Sequence, residues 1–168
     1  PLLLYYFSND PPEHFTDDPH LRVVWMGFRS YSSYKQLLDL LKPELGLVLL
    51  RQEEFSRHKS VIKFAEYGFA GAIGIYSRVA PYADFIEDGA NGFFAENTYE
   101  GWKSSLLRAL RMPSEVRLQM KERIGRDVRA QFDFQPIHGL FRSLLAEHAK
   151  ATPSAPDVPE NLPDLQPF

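Results

Sequence analysis

The sequence predicts an α/β fold: a Rossmann-like three-layer sandwich with a mainly parallel sheet. Short apolar runs recur along the chain, segments with helical spacing separate them, and turn residues lie between the two. The runs are continuously apolar rather than alternating, which is typical of parallel strands covered on both faces. With 168 residues, 44% of them hydrophobic, the chain is long enough for one well-filled core. We expect a single folded domain over residues 1–150.

Five short apolar segments are the predicted strands. The four longest are wholly apolar or contain a single glycine, and the fifth follows two turn signals, Asp88-Gly89 and Asn91-Gly92. The predicted strands are 2–7, 23–26, 47–50, 72–76 and 93–94. Because the first of them opens the sequence, we expect the start of the domain to be truncated.

Helical periodicity fills the intervals between these strands. Residues 34–41 carry apolar side chains at steps of three and four, and Pro43 ends that helix, which predicts a β-α-β unit with the flanking strands. Ser60 is the predicted N-cap of a helix that runs to Ala70 and ends at Gly71. Further helices are predicted over 99–111, 114–132 and around 137–145.

The composition excludes several classes of function. The formal net charge is −3, so the chain has no global basic field that would draw it onto nucleic acid. There is no cysteine, hence no disulfide and no thiolate metal site. The histidines have no partners at ligand spacing, and we predict no metal site. Residues 151–168 contain five prolines and no periodicity, which predicts a Pro-rich tail or linker.

The segment 51–59 is the predicted ligand-binding loop. It follows the strand 47–50, and in an open α/β sheet ligands bind beyond the carboxyl ends of the strands. The loop is rich in basic side chains and leads into a helix whose first N–H groups have no partner inside the helix. Such amides bind anions, helped by the helix dipole. Lys59 and Ser60 are therefore predicted to hold a diphosphate.

A second prediction concerns the face of that helix. Ser60, Lys63 and Glu66 lie at steps of three and share one side. Glu66 lies about 9 Å along the helix from Ser60, a suitable distance for its carboxylate to accept bonds from a ribose diol. The alternative is an ordinary solvated stripe, which the spacing alone favours.

Three stretches in a fixed order carry a resemblance to a known family. They are FSRHKSVIKFAEYG at 55–68, SRVAPY at 77–82 and IEDGANG at 86–92. Together they resemble the donor-binding domain of retaining GT-B glycosyltransferases, closest to the branch with a KS..K..EY helix, a GPY turn and an EDG.NG turn. The resemblance spans about residues 2–133 and implies a nucleotide-sugar-binding lobe.

The resemblance implies roles for individual residues. Lys59 and Ser60 would contact the donor diphosphate, with Lys59 stabilising it as it leaves, and Glu66 would bind the ribose hydroxyls. Pro81 and Tyr82 would lie close to the donor. No cofactor is implied, because the nucleotide diphosphate sugar is the donor substrate.

Two departures from the family pattern concern the phosphate and sugar contacts. His58 stands where the commoner form of the family has a glutamate near the transferred sugar. A contact of His58 with sugar or phosphate and a loop histidine without a role are both open. Arg57 is a further predicted donor contact. The family's Arg and Lys near the start of the domain are expected to precede Pro1.

The predicted function is sugar transfer from a nucleotide diphosphate sugar to an acceptor hydroxyl, together with an absent N-terminal acceptor-binding lobe. The isolated chain is expected to bind the donor but hardly to catalyse. By family expectation the enzyme is cytoplasmic, with peripheral membrane association through the rest of the protein, and builds a polysaccharide or glycoconjugate. The alternative is a non-catalytic, degenerate glycosyltransferase-like scaffold or partner-binding module.

Some charged residues are interpreted structurally. Glu87 and Asp88 are read as turn residues, with Glu87 a weak functional candidate. The basic side chains between Arg117 and Arg129 alternate with acidic ones, which is typical of a solvated helix face.

Overall fold

The computed structural model of the protein describes residues 2–11, 19–133, 139–140 and 142–146. The chain divides into two compact units, Pro1–Gln131 and Phe132–Phe168. In the second unit the described residues 139–140 and 142–146 are helical, while Ile137 and Phe141 of the predicted stripe and the predicted tail 151–168 lie outside the described residues. Among the described residues, no helix is both long and apolar enough to cross a membrane.

The first unit contains both strands and helices. Its strands are β1 (Leu2–Tyr6), β2 (Leu21–Trp25), β3 (Leu45–Val48), β4 (Ile73–Ser77) and β5 (Phe93–Ala95). Its helices are α1 (Tyr31–Leu41), α2 (Glu54–Arg57), α3 (Ile62–Ala70), α4 (Tyr99–Leu110) and α5 (Ser114–Gln131), with a short 3₁₀ turn at Tyr82–Asp84. The five strands predicted from apolar runs are present within a few residues of their expected bounds.

Every pairing between these strands is parallel, which confirms the Rossmann-like α/β class. The strands form two hydrogen-bonded sheets, β1–β2 and β3–β4–β5. The predicted β-α-β unit around α1 is therefore not closed within one sheet, since β2 and β3 belong to different sheets. An apolar run identifies a strand but does not specify the strand beside it.

The core surrounds the sheet β3–β4–β5. All five residues of β4 are buried. α3 packs on α5 through Gly68, where an added Cβ would come within 2.6 Å of Val128 and 2.9 Å of Ile124. α4 contributes Ala109, which is fully buried and whose helix contacts β5. This packing fixes the sheet whose strand ends form the site.

The start of α3 differs from the prediction. The N-cap is Val61 rather than Ser60, and no side chain caps the helix. The Val61 carbonyl accepts from the Phe64 amide at 2.9 Å, so the first turn closes one residue later than expected. The predicted end is confirmed, because Gly71 adopts φ 73°, a left-handed conformation that favours glycine after a helix.

Candidate functional site

A cavity of about 350 Å³ opens at the carboxyl ends of β3 and β4. One wall comes from the segment after β3 and the other from the segment after β4. The lining residues are Arg51, Gln52, Glu53, Glu54 and Arg57 on the first side and Arg78, Val79, Ala80 and Ala83 on the second. This is the place where open α/β sheets bind ligands.

Hydrogen bonds hold the ends of the three core strands together beneath the cavity. The buried Ser77 hydroxyl at the end of β4 accepts from the Leu50 amide at 2.9 Å. The Asn97 side-chain amide, which follows β5, donates to the Leu50 carbonyl at 2.8 Å. Because these bonds join all three strand ends, the two loops start from fixed positions.

The cavity holds three guanidinium groups with different surroundings. Arg78 Nε lies 2.6 Å from Glu96 Oε1, and its guanidinium stacks on the Phe94 ring at 4.5 Å. Within the part of the chain that the structure describes, Arg51 and Arg57 have no carboxylate partner. The cavity therefore contains unpaired positive charge.

The acidic side chains of the cavity lie on the same segment as two of the arginines. Glu54 Oε1 is 3.0 Å from His58 Nε2, and both side chains are exposed. Glu53 is the exposed residue that precedes α2. His58, one of the predicted donor contacts, therefore lies beside this cavity and pairs with Glu54, one of the lining residues.

The predicted residues Lys59 and Ser60 lie between the cavity and α3, and neither lines the cavity. Both are exposed, and Lys59 Nζ sits 4.9 Å from the centre of the Phe55 ring. No side chain caps the start of α3 beside them, and the two residues of the predicted diphosphate site therefore stand outside the cavity lining.

Glu66 is buried, with its side chain only 5% exposed. Its Oε2 accepts from Lys63 Nζ at 2.6 Å, and Lys63 also donates to the Tyr34 hydroxyl at 3.2 Å. Burial and the nearby negative charge of Glu66 raise the pKa of Tyr34. Glu66 is therefore not part of a solvated stripe, and Lys63 links its carboxylate to Tyr34 on α1.

Pro81 and Tyr82 have different environments. Pro81, after a cis peptide bond, is partly exposed beside the cavity residue Ala80. Tyr82 is buried and stacks on Tyr76 with ring centres 4.7 Å apart. Burial raises the pKa of Tyr82 to about 12.

The turn at 87–92 has structural partners. The Asn91 amide accepts from the Glu87 N–H at 2.8 Å and donates to Asp127 at 3.1 Å, while Asp88 accepts from the Phe94 N–H at 2.8 Å. Glu87 also pairs with Arg123 at 3.2 Å. These contacts fit the interpretation of Glu87 and Asp88 as turn residues. They also show that the charged face of α5 contacts this turn and does not face solvent alone.

Sequence reasoning did not select Arg51 and Arg78 as site residues. The available signal was position, because each follows a predicted strand and the carboxyl ends of parallel strands share one edge. It also did not identify Ser56, whose hydroxyl is buried without a hydrogen-bond partner. In the described ranges, no group of three or more His, Cys, Asp or Glu side chains is placed to hold a metal ion.

Parallel strands, intervening helices and a cavity at the strand ends define a Rossmann-like α/β domain. Crystal structures of Alr3699/HepE from Anabaena have this fold. The complex with UDP and glucose superposes with a TM-score of 0.57 at 16% identity, over 75% of this chain and 32% of HepE. The complexes with UDP-glucose and with UDP both give a TM-score of 0.56, at 15% and 17% identity.

These similarities are structural. The chain matches about a third of the length of HepE, and at this identity the likeness establishes the fold alone. No protein-family model matches the sequence, and no curated protein sequence is significantly similar to it.

Proposed function

We propose that this chain is the donor-binding half of a glycosyltransferase that takes its sugar from a nucleotide diphosphate sugar. The observation that carries the proposal is the basic cavity at the carboxyl ends of β3 and β4. It lies in a fold shared with HepE, a protein crystallised with UDP-glucose. A nucleotide diphosphate needs positive charge and hydrogen-bond donors at this edge, and the cavity supplies guanidinium groups there.

The predicted contacts can be assigned to parts of the donor. Arg57 lines the cavity, and His58, Lys59 and Ser60 follow it toward α3. In the proposal these residues contact the diphosphate. Pro81 lies on the opposite side of the diphosphate, and Tyr82 supports the start of α3. His58 serves as a sugar or phosphate contact only if it gives up its pairing with Glu54.

Glu66 has the proposed role of binding the ribose hydroxyls. A carboxylate has about four acceptor positions, and Lys63 uses one of them. Acceptor capacity therefore remains for a diol. The buried position means that the ribose must approach across Lys63, whose side chain is 38% exposed.

The chemistry of the proposal is charge stabilisation. When the bond between the sugar and the diphosphate breaks, the electron pair stays on the phosphate oxygen. Lys59 and the nearby arginines would stabilise that developing negative charge, which is the largest single contribution in many enzymes. The acceptor hydroxyl forms the new glycosidic bond and loses its proton to a group on an acceptor-binding lobe outside this sequence. The nucleotide sugar is a substrate in this scheme, and no cofactor takes part.

A non-catalytic scaffold is the second candidate. The observation that favours it is His58, which stands where the commoner form of the resembled family has a glutamate and which pairs with Glu54 at 3.0 Å. Absence of nucleotide binding would support this candidate over the first.

Isothermal titration of the chain with UDP, GDP, dTDP and ADP sugars tests the proposal. We expect one nucleotide class to bind. Lys59→Ala should weaken that binding about 10- to 100-fold, the loss of one charge-assisted hydrogen bond. Lys35→Ala, an exposed lysine on α1, is the matched control and should leave affinity unchanged.

Glu66→Gln separates the ribose contact from the phosphate contacts. It should weaken nucleotide binding about tenfold, by a lost bond to a charged group, while inorganic pyrophosphate binds as to the wild type. Circular dichroism checks that the variant is folded. If no nucleotide binds, or if both variants bind it like the wild type, the proposal fails.

A further inference from the structure

We propose that Arg51, Arg57 and Arg78 bind the donor diphosphate through guanidinium groups that come from two loops. The inference rests on the proposed function and assigns the phosphate contacts within that site. It adds Arg51 and Arg78 to the sequence-based assignment, in which Arg57, Lys59 and Ser60 contact the donor.

The first argument is the position of the three residues. Arg51 and Arg57 come from the segment after β3, and Arg78 comes directly after β4. They line one cavity of about 350 Å³, which falls in the range of small-molecule sites. Two parallel strands therefore deliver positive charge to the same cavity from opposite sides.

The second argument is the charge state of the cavity. In the described residues Arg51 and Arg57 lack carboxylate partners, although Glu53 and Glu54 line the same space. Guanidinium groups that share a cavity repel one another, and an anion with several oxygens relieves this repulsion. The two carboxylates disfavour a phosphate beside them and accept hydrogen bonds from hydroxyl groups instead, which suits a sugar attached to the diphosphate.

The third argument is the orientation of Arg78. Its Nε is held by Glu96 at 2.6 Å, and its flat face lies on Phe94. Toward the residues that the structure describes, its two terminal nitrogens make no hydrogen bond, so they are available to phosphate oxygens in a fixed geometry. A preoriented donor loses little side-chain entropy when it binds.

The start of α3 supplies less positive charge than the cavity does. Lys59 and Ser60 are exposed residues outside the cavity lining, and only Lys59 of the two is charged. The arginine cavity offers three charged groups with planar, forked donors, which match phosphate geometry better than a single lysine does.

The test compares ligands that differ only in phosphate number: UDP, UMP and uridine, or the same series on whichever base binds. The variants are Arg78→Gln and the double variant Arg51→Gln/Arg57→Gln. We expect the double variant to lose at least tenfold in UDP affinity while uridine affinity stays unchanged. The salt dependence of UDP binding should also become shallower. Arg126→Gln, an exposed arginine on α5, is the control and should bind UDP like the wild type.

Two results overturn the inference, and they differ in what they mean. If the wild type binds UDP and the arginine variants bind it equally well, or lose UDP and uridine affinity alike, the diphosphate lies elsewhere and the proposed function stands. If the wild type binds none of the nucleotides, the inference and the proposed function fail together.

Discussion

The strand β4 and the pair β1–β2 have similar apolar sequences but different surroundings. Every residue of β4 is buried between neighbouring strands and the helices that pack on them. In the pair, Leu2 and Leu3 are each 50% exposed and Trp25 is 46% exposed. An apolar run therefore shows which segments are strands, but its burial depends on which other elements reach its faces.

The same contrast extends to the helices. α3 and α5 pack closely around Gly68, whereas α1 leaves Leu40 and Tyr31 largely exposed. The two regions meet through the polar contacts of Tyr34 with Lys63 and Glu66. The stability of the unit should therefore reside mainly in the sheet β3–β4–β5 and its helices.

Matched truncations in the two sheets test this directly and should give the largest effect. Ile75→Ala in β4 removes a fully buried side chain and should cost about 2–5 kcal/mol of unfolding free energy. Leu3→Ala in β1 removes a half-exposed side chain and should cost less than about 1.5 kcal/mol, since little buried contact is lost. Urea denaturation followed by circular dichroism measures both. Equal losses would mean that β1–β2 is packed as tightly as the core.

Two glycines within helices extend the comparison to the packing between helices. Gly68→Ala places a methyl group against Val128 and Ile124, and overpacking of this kind costs about 1–3 kcal/mol. Gly125→Ala on α5 meets only the end of the Arg129 side chain, at 3.5 Å, and should stabilise the protein by about 0.5–1 kcal/mol through helix propensity. Thermal denaturation distinguishes the signs. A stabilising Gly68→Ala would show that the contact between α3 and α5 is loose.

The smallest expected effect concerns pH. The ordinary pKa of tyrosine is 10.0, and burial raises that of Tyr82 to about 12. The phenol of Tyr82 therefore stays protonated up to a higher pH in the folded state than in the unfolded state. Stability linked to Tyr82 is complete below pH 10 and declines as the pH rises from 10 to about 12.

Tyr82→Phe should consequently reduce the slope of unfolding free energy against pH in that interval. Urea denaturation from pH 10 to about pH 12 gives the slope. Tyr99→Phe, an exposed tyrosine on α4, is the control and should leave the slope unchanged. An unchanged slope in Tyr82→Phe would mean that this hydroxyl is not protected from solvent.

Much of the fold could be predicted from the sequence. Apolar continuity identified four of the five described strands, and the turn signals before Phe93 identified the fifth. Gly71 marked the end of α3 because its left-handed φ favours glycine. Ser60 was the wrong cap, because the first turn closes on the Val61 carbonyl, which accepts from the Phe64 amide.

The candidate site was predictable in position and less so in composition. The rule that ligands bind at the carboxyl ends of parallel strands placed it after β3, and Arg57 does line the cavity. Arg78 was not identified, because it is 21 residues further along the chain than Arg57 and meets it only through the parallel pairing of β3 and β4. Glu66 was predicted as a ribose contact, which stays a prediction. Its burial beside Lys63, which reaches Tyr34 on α1, depends on the packing of α1 on α3 and could not be predicted from the spacing.

By itself, the sequence determined the α/β class, the order of strands and helices, and the segment after β3 as the place of the site. These properties depend on local periodicity and on turn residues that act within a few positions of one another. Only the tertiary structure decided which strands pair, which apolar faces are covered and which charges share the cavity. Those properties depend on contacts between residues far apart in the chain, and no local pattern specifies such contacts.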